Sequence, residues 1–170
     1  TSFGYWPVMP YPAVSANLFL LYLYDYRASV FYPSIDTGVN SLRSFLMQRS
    51  DLCHQEHYVL SGYSQGGMVV HRAFMNIWAS AQLGNRYARS IIRRVDGVIM
   101  VADGDRVDNQ GGSHYGTAPT GGSWGVIWDI VWDDTGGGQF TPANAKIPNE
   151  GAFSSVRWRD VCQLHDTVCD

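Results

Sequence analysis

Apolar positions along the chain follow two periods, and each switch between them marks an element. Leu18-Phe19-Leu20-Leu21-Tyr22-Leu23-Tyr24 is apolar almost throughout, as strands of a parallel sheet are. After Pro33-Ser34 the apolar residues Ile35, Val39, Leu42, Phe45 and Leu46 return at helical spacing, with Ser34 placed to cap the helix. His57-Tyr58-Val59-Leu60-Ser61 reads as a short buried strand. Met68 to Ala79 then runs on without Gly or Pro, as a packed helix does. Val95–Val101 is a third strand. Ser154–Arg159 is a fourth, with Val156 and Trp158 alternating against Arg157 and Arg159.

Strands separated by single helices predict right-handed crossovers and a parallel sheet wrapped on both faces. The chain is read as one domain over residues 1–170. Sheets of this kind bind ligands at the carboxyl ends of their strands, where Ser64, Asp103 and the Asp166 loop all fall. Asp108–Gly151 breaks the rhythm with Gly, Thr, Asn and Pro. Within it Trp124, Ile127, Trp128, Val131 and Trp132 lie on roughly one helical face. That stripe is either ordinary core packing or a lid over an acyl-binding cleft.

Composition narrows the function. Hydrophobic residues make up 45%, charged residues 16%, and Lys146 is the sole lysine, with a formal net charge of −3. Nucleic acid, which calls for a basic face, is excluded as a partner. Arg86, Arg89, Arg93 and Arg94 cluster, but they straddle a helix end and the approach to a strand, where solvated cations are ordinary. No run is long enough to span a membrane. The chain has three cysteines: Cys162 and Cys169 flank a turn-like segment, and Cys53 stands apart. A close pair plus an odd one suits an oxidising compartment, hence a secreted protein; three reduced, buried thiols are the alternative. No cysteine or histidine spacing suggests zinc.

Gly62-Tyr63-Ser64-Gln65-Gly66 stands between the second predicted strand and its helix. In a G-x-S-x-G elbow the serine occupies a sharp strand-to-helix turn, lifted clear of the sheet. Amides at the start of the helix then face the reacting carbonyl. The motif is short and common, so the strand–turn–helix setting is what turns it from a glycine-rich bend into a nucleophile.

Together with Cys162-Gln163-Leu164-His165-Asp166-Thr167-Val168-Cys169, the elbow resembles the cutinase family of α/β-hydrolase serine esterases. That family has a G-Y-S-Q-G elbow and a disulfide-bounded C-x3-D-x-V-C loop. Cys53 falls where cutinases have a cysteine paired near the N-terminus. Arg27-Ala28-Ser29 and Ser34–Leu46 look like the family's preceding segment and helix. Ala102-Asp103-Gly104-Asp105-Arg106 and Gly116-Thr117-Ala118-Pro119 look more like bacterial secreted cutinase-like proteins, and phage mycolylarabinogalactan esterases share similar elbow regions.

The resemblance implies a three-layer α/β-hydrolase fold lacking here its N-terminal strand and C-terminal helix. It implies Ser64 as nucleophile, the Gln65 amide as an oxyanion donor, Asp166 as triad acid, a Cys162–Cys169 disulfide, and no metal or cofactor. The implied reaction is hydrolysis of lipid-like or polyester carboxylic esters; a silent domain on a virion or cell surface is the alternative. Asp166 as a mere turn cap, and Asp103 or Asp105 as the acid, remain competing readings. The family's histidine follows the second loop cysteine. None of the chain's five histidines (His54, His57, His71, His114, His165) holds that place. A fragment of a longer polypeptide is therefore the expectation, with the histidine beyond Asp170 and His114 the one internal substitute able to swing in.

Overall fold

The structure, a computed structural model, describes residues 31–122, 124–126, 145–147 and 156–170. The predicted strand Leu18–Tyr24 and the lid residues Ile127, Trp128, Val131 and Trp132 lie outside them. The chain divides into two compact units, Thr1–Ser34 and Ile35–Asp170. The described residues fall almost wholly in the second.

The elements run α1 (Phe31–Leu52), β1 (Tyr58–Tyr63), α2 (Gln65–Gln82), α3 (Arg86–Ile92), β2 (Val95–Val101), β3 (Ser113–Tyr115) and β4 (Arg157–Val161). Helix α1 is longer at both ends than its apolar spacing suggests, so Ser34 sits within it and is not its cap. Pro33 is tolerated because first-turn amides have no intrahelical partner to lose. Gly84, at φ 95, turns the chain out of α2. Asn85 then caps α3 by accepting from the Ala88 amide at 3.1 Å. Arg86 and Arg89 thus belong to a separate short helix that apolar spacing alone did not reveal, with Arg93 at its C-cap and Arg94 just beyond.

The four described strands form one parallel sheet in the order β1-β2-β4-β3. Leu60, Val98, Met100 and Trp158 share a face and join Phe74 and Ile77 of α2, Ile91 of α3 and Leu46 of α1 in one core. Phe74 meets Trp158 edge-to-face, with ring centroids 4.8 Å apart, a favoured aromatic geometry. Among the described residues the opposite face leaves Val59, Ile99 and Tyr115 exposed. Strand β4 begins later than predicted and ends on Asp160 and Val161. A buried aspartate interrupts its apolar pattern, which is why the sequence reading stopped two residues short.

Candidate active site

The ladder runs one residue past the strand ends and levels the site. The Ser64 amide donates to the Val101 carbonyl (2.8 Å), Ala102 to Val161 (2.9 Å) and Cys162 to Tyr115 (2.9 Å). Ser64 therefore stands at the carboxyl edge of β1, with the Cys162 loop two strands away. Adjacent strands are about 4.8 Å apart, so the two lie roughly 10 Å apart across the sheet.

Ser64 has φ 53 and ψ −123, a region that costs a residue with a Cβ on the order of 1–3 kcal/mol. It occupies the N-cap of α2, yet its hydroxyl does not cap the helix. Serine at that position ordinarily spends its oxygen on the second or third helical amide. Here the Ser64 carbonyl takes the Gly67 and Met68 amides, at 2.8 and 3.2 Å. The Gln65 and Gly66 amides precede them in the first turn, where helical N–H groups lack intrahelical acceptors. A Cβ on Gly62 would lie 2.1 Å from the Gly66 oxygen, whereas one on Gly66 would meet nothing within 4 Å. The first glycine of the motif is a steric necessity; the second is not.

Cys162 and Cys169 are bonded, with S–S 2.03 Å, as expected, and Cys53 is a half-buried free thiol. Asp166 is half-buried in the loop they close. One carboxylate oxygen accepts from the Val168 amide at 2.8 Å. Its carbonyl receives the Cys169 and Asp170 amides at 3.2 and 2.9 Å. Asp166 thus builds its own turn with one oxygen, and the described residues offer the other no donor. His165, at φ 64, is exposed beside it, its amide bound to the Asp170 carboxylate at 2.6 Å.

The competing acids are committed elsewhere. Asp103 is fully buried and pairs with Nδ1 of His71 at 2.6 Å, while His71 Nε2 meets the Ala145 carbonyl at 2.7 Å. Asp105 holds the Arg72 guanidinium through two 2.7 Å bonds. Burial works against the His71 cation, but the Asp103 charge and hydrogen bond, with Asp105 and the Ala145 carbonyl, hold its pKa above the ordinary value. Burial raises Asp105 against the opposing pull of Arg72. His71, Asp103 and Asp105 are near enough to hold a cation by composition. Both imidazole nitrogens face acceptors, however, and the Arg72 fork occupies both Asp105 oxygens, so this donor set is closed to a metal.

His114 is likewise locked. It lies on β3, three strands or roughly 14 Å across the sheet from β1. Its Nδ1 reaches Asp160 at 3.2 Å and its Nε2 the Gln110 carbonyl at 3.0 Å. None of the five histidines hydrogen-bonds Ser64. Asp160 also takes Nε of Arg106 at 2.9 Å and the Gln110 amide at 3.1 Å. Burial, reinforced by Asp103, lifts the Asp160 pKa despite Arg106 and His114. This buried polar system was missed in the sequence, where its only signal was charge inside apolar stretches: His71-Arg72 in the helix and Asp160 in the strand.

The family profile described as Cutinase matches residues 12–170. The chain belongs to the cutinase family. The parallel sheet with its elbow agrees with the α/β fold of that family. Among solved structures it is similar to an iodinated complex of acetyl xylan esterase, at 20% identity and a TM-score of 0.47. The match covers 82% of this chain and 59% of that one, so the chain spans less than two thirds of that structure's length. No curated protein matches the chain.

Proposed function

We propose that this domain is the nucleophile-bearing part of a secreted serine esterase that cleaves carboxylic esters through an acyl-enzyme. The observation that carries the reading is Ser64 itself. Its backbone is held at φ 53 and ψ −123 on the threshold of α2, and its hydroxyl is withheld from the helix cap it could satisfy. Strain and an unspent cap are costs that a structural turn has no reason to bear.

In the reaction the Ser64 oxygen attacks the ester carbonyl and its proton passes to a histidine base. The tetrahedral oxyanion is met by the Gln65 amide, a contribution on the order of 3 kcal/mol for one such donor. The histidine returns the proton to the leaving alcohol, and water repeats the sequence to free the acid. Asp166 orients that histidine and stabilises its imidazolium, using the oxygen its own turn leaves open. The chemistry draws on no metal or cofactor. Tyr63, Trp124 and Leu164, all exposed, lie in segments at or beyond the carboxyl ends of the strands and favour lipid-like or polyester substrates. The disulfide suits an oxidising, extracellular setting.

The test is fluorophosphonate labelling of the full-length protein. Labelling at Ser64 that is abolished by Ser64→Ala, together with p-nitrophenyl ester hydrolysis, supports the reading; an unlabelled, folded protein sinks it. A second reading, a silent domain on a virion or cell surface, draws on the fact that no histidine of this chain meets Ser64. An unlabelled full-length protein that keeps its fold would favour it.

A further inference from the structure

Arg106 is 1% exposed, and its guanidinium spans three segments far apart in sequence. Nε binds Asp160 at the end of β4 (2.9 Å), Nη1 donates to the Cys169 carbonyl (3.2 Å), and Nη2 donates to the Pro119 carbonyl (2.8 Å). Its backbone is fixed too: the amide donates to Asp103 (3.2 Å) and the carbonyl accepts from Gly125 (2.8 Å). A buried ion pair is weak evidence for stability, since apolar residues of like volume often serve as well. A fork aimed at acceptors on three sides has a geometric purpose that packing does not explain.

The neighbours of Arg106 supply that purpose. Asp103 and Asp105 of the same turn grip His71 and Arg72 of α2, the helix that Ser64 begins. The first turn of that helix rests on the Asp103 backbone, as the 3.5 Å approach of a Cβ built on Gly67 shows. One face of the 103–106 turn is therefore bolted to the nucleophile helix. On its other face the Arg106 side chain holds the last cysteine of the loop that carries Asp166. The disulfide closes that loop on itself but does not aim it. Ala118 and Tyr115 tie the loop at Cys162, and Arg106 and Val126 tie it at the far end, through Cys169 and Val168.

We propose that Arg106 is the positioning residue of the acid loop, setting the height of Asp166 relative to Ser64 through the Cys169, Pro119 and Asp160 bonds. This rests on the reading of Ser64 and Asp166 given above. Lysine at the position keeps a charge for Asp160 but offers one ammonium where three divergent acceptors must be met. Small misplacements of a catalytic group cost on the order of 100-fold in rate.

In the full-length protein Arg106→Lys should lower kcat for a p-nitrophenyl ester by about 10- to 100-fold while KM moves less than about twofold. Because Arg106 acts through Asp166, Asp166→Asn should cost far less in the Arg106→Lys background than in the wild type. Independently of activity, dithiothreitol should reduce the Cys162–Cys169 bond several-fold faster in the variant, since the loop end is no longer held. Should Arg106→Lys fail to fold, the pair Arg106→Met with Asp160→Asn leaves no unpaired buried carboxylate and should show the same three effects. An unchanged kcat, or an Asp166→Asn penalty equal in both backgrounds, overturns the assignment. If instead wild-type protein shows no labelling at Ser64, the esterase reading has failed. The reduction rate then judges the Arg106 tie by itself, an unchanged rate overturning it.

Discussion

Residue by residue, the elbow treats its two glycines unequally. A methyl group at Gly62 would be driven into the Gly66 carbonyl, backbone that cannot step aside, while Gly66 faces open space. Gly62→Ala is expected to lower stability by about 1–3 kcal/mol or more, as overpacking does, and to remove Ser64 labelling. Gly66→Ala should fold at wild-type stability or slightly better, since alanine is favoured over glycine in a helix by up to about 1 kcal/mol. Thermal unfolding of the two variants decides the point, and equal losses would refute the steric account. The two candidate acids separate in the same way. Asp166→Asn should leave the melting temperature near wild type and cut kcat by about 10,000-fold in the full-length protein, because an amide favours the wrong histidine tautomer. Asp103→Asn should do the reverse. It strips His71 of a buried partner, a loss of about 3–5 kcal/mol for a broken buried pair, and what remains folded should still label at Ser64. A kcat collapse with intact folding in Asp103→Asn would move the acid to that position.

Among elements, α2 is held to the carboxyl end of β2 by two buried ion pairs on consecutive residues, His71–Asp103 and Arg72–Asp105. The histidine makes this clamp sensitive to pH. Its folded pKa lies above the ordinary value because Asp103, Asp105 and the Ala145 carbonyl outweigh burial. A group raised on folding contributes its full stability below its unfolded pKa, about 6.5, and loses it as pH climbs through the folded value. Stability from this clamp should therefore decline as pH rises from about 6.5 through the folded value. The imidazole resonances of His71 should titrate above the ordinary histidine value. A His71 that titrates at or below that value would contradict the clamp. Spacing revealed α2, β1 and β2 because each buries a continuous apolar face. It did not reveal β3 or α3: three residues among glycines have no period to detect, and α3 is defined by the Gly84 turn and the Asn85 cap, not by a stripe.

At the scale of the whole molecule, Ser64, the Gln65 amide and the Asp166 loop line one edge of the sheet, and none of the five histidines, all among the described residues, hydrogen-bonds Ser64. A polypeptide of these 170 residues is expected to hydrolyse p-nitrophenyl esters negligibly and to resist fluorophosphonates, because an unassisted serine hydroxyl is a poor nucleophile near neutral pH. Brisk labelling of Ser64 in that polypeptide would show that one of these five histidines supplies the base. His114 was the internal substitute the sequence allowed. Its place on the far strand, bound to Asp160 and the Gln110 carbonyl, takes it out of reach in this arrangement. What the sequence determined by itself was local: the strand–elbow–helix around Ser64, the cysteine-bounded loop with Asp166, and the parallel α/β class. Those features rest on torsions, short spacings and apolar periods confined to a few neighbouring residues. Only the tertiary structure decided the fate of the buried charges. Asp103 meets His71 across 32 positions, Asp160 meets His114 across 46, and Arg106 reaches Cys169 across 63. A charge inside an apolar stretch announces that it needs a partner, but which partner it finds is set by how distant segments pack.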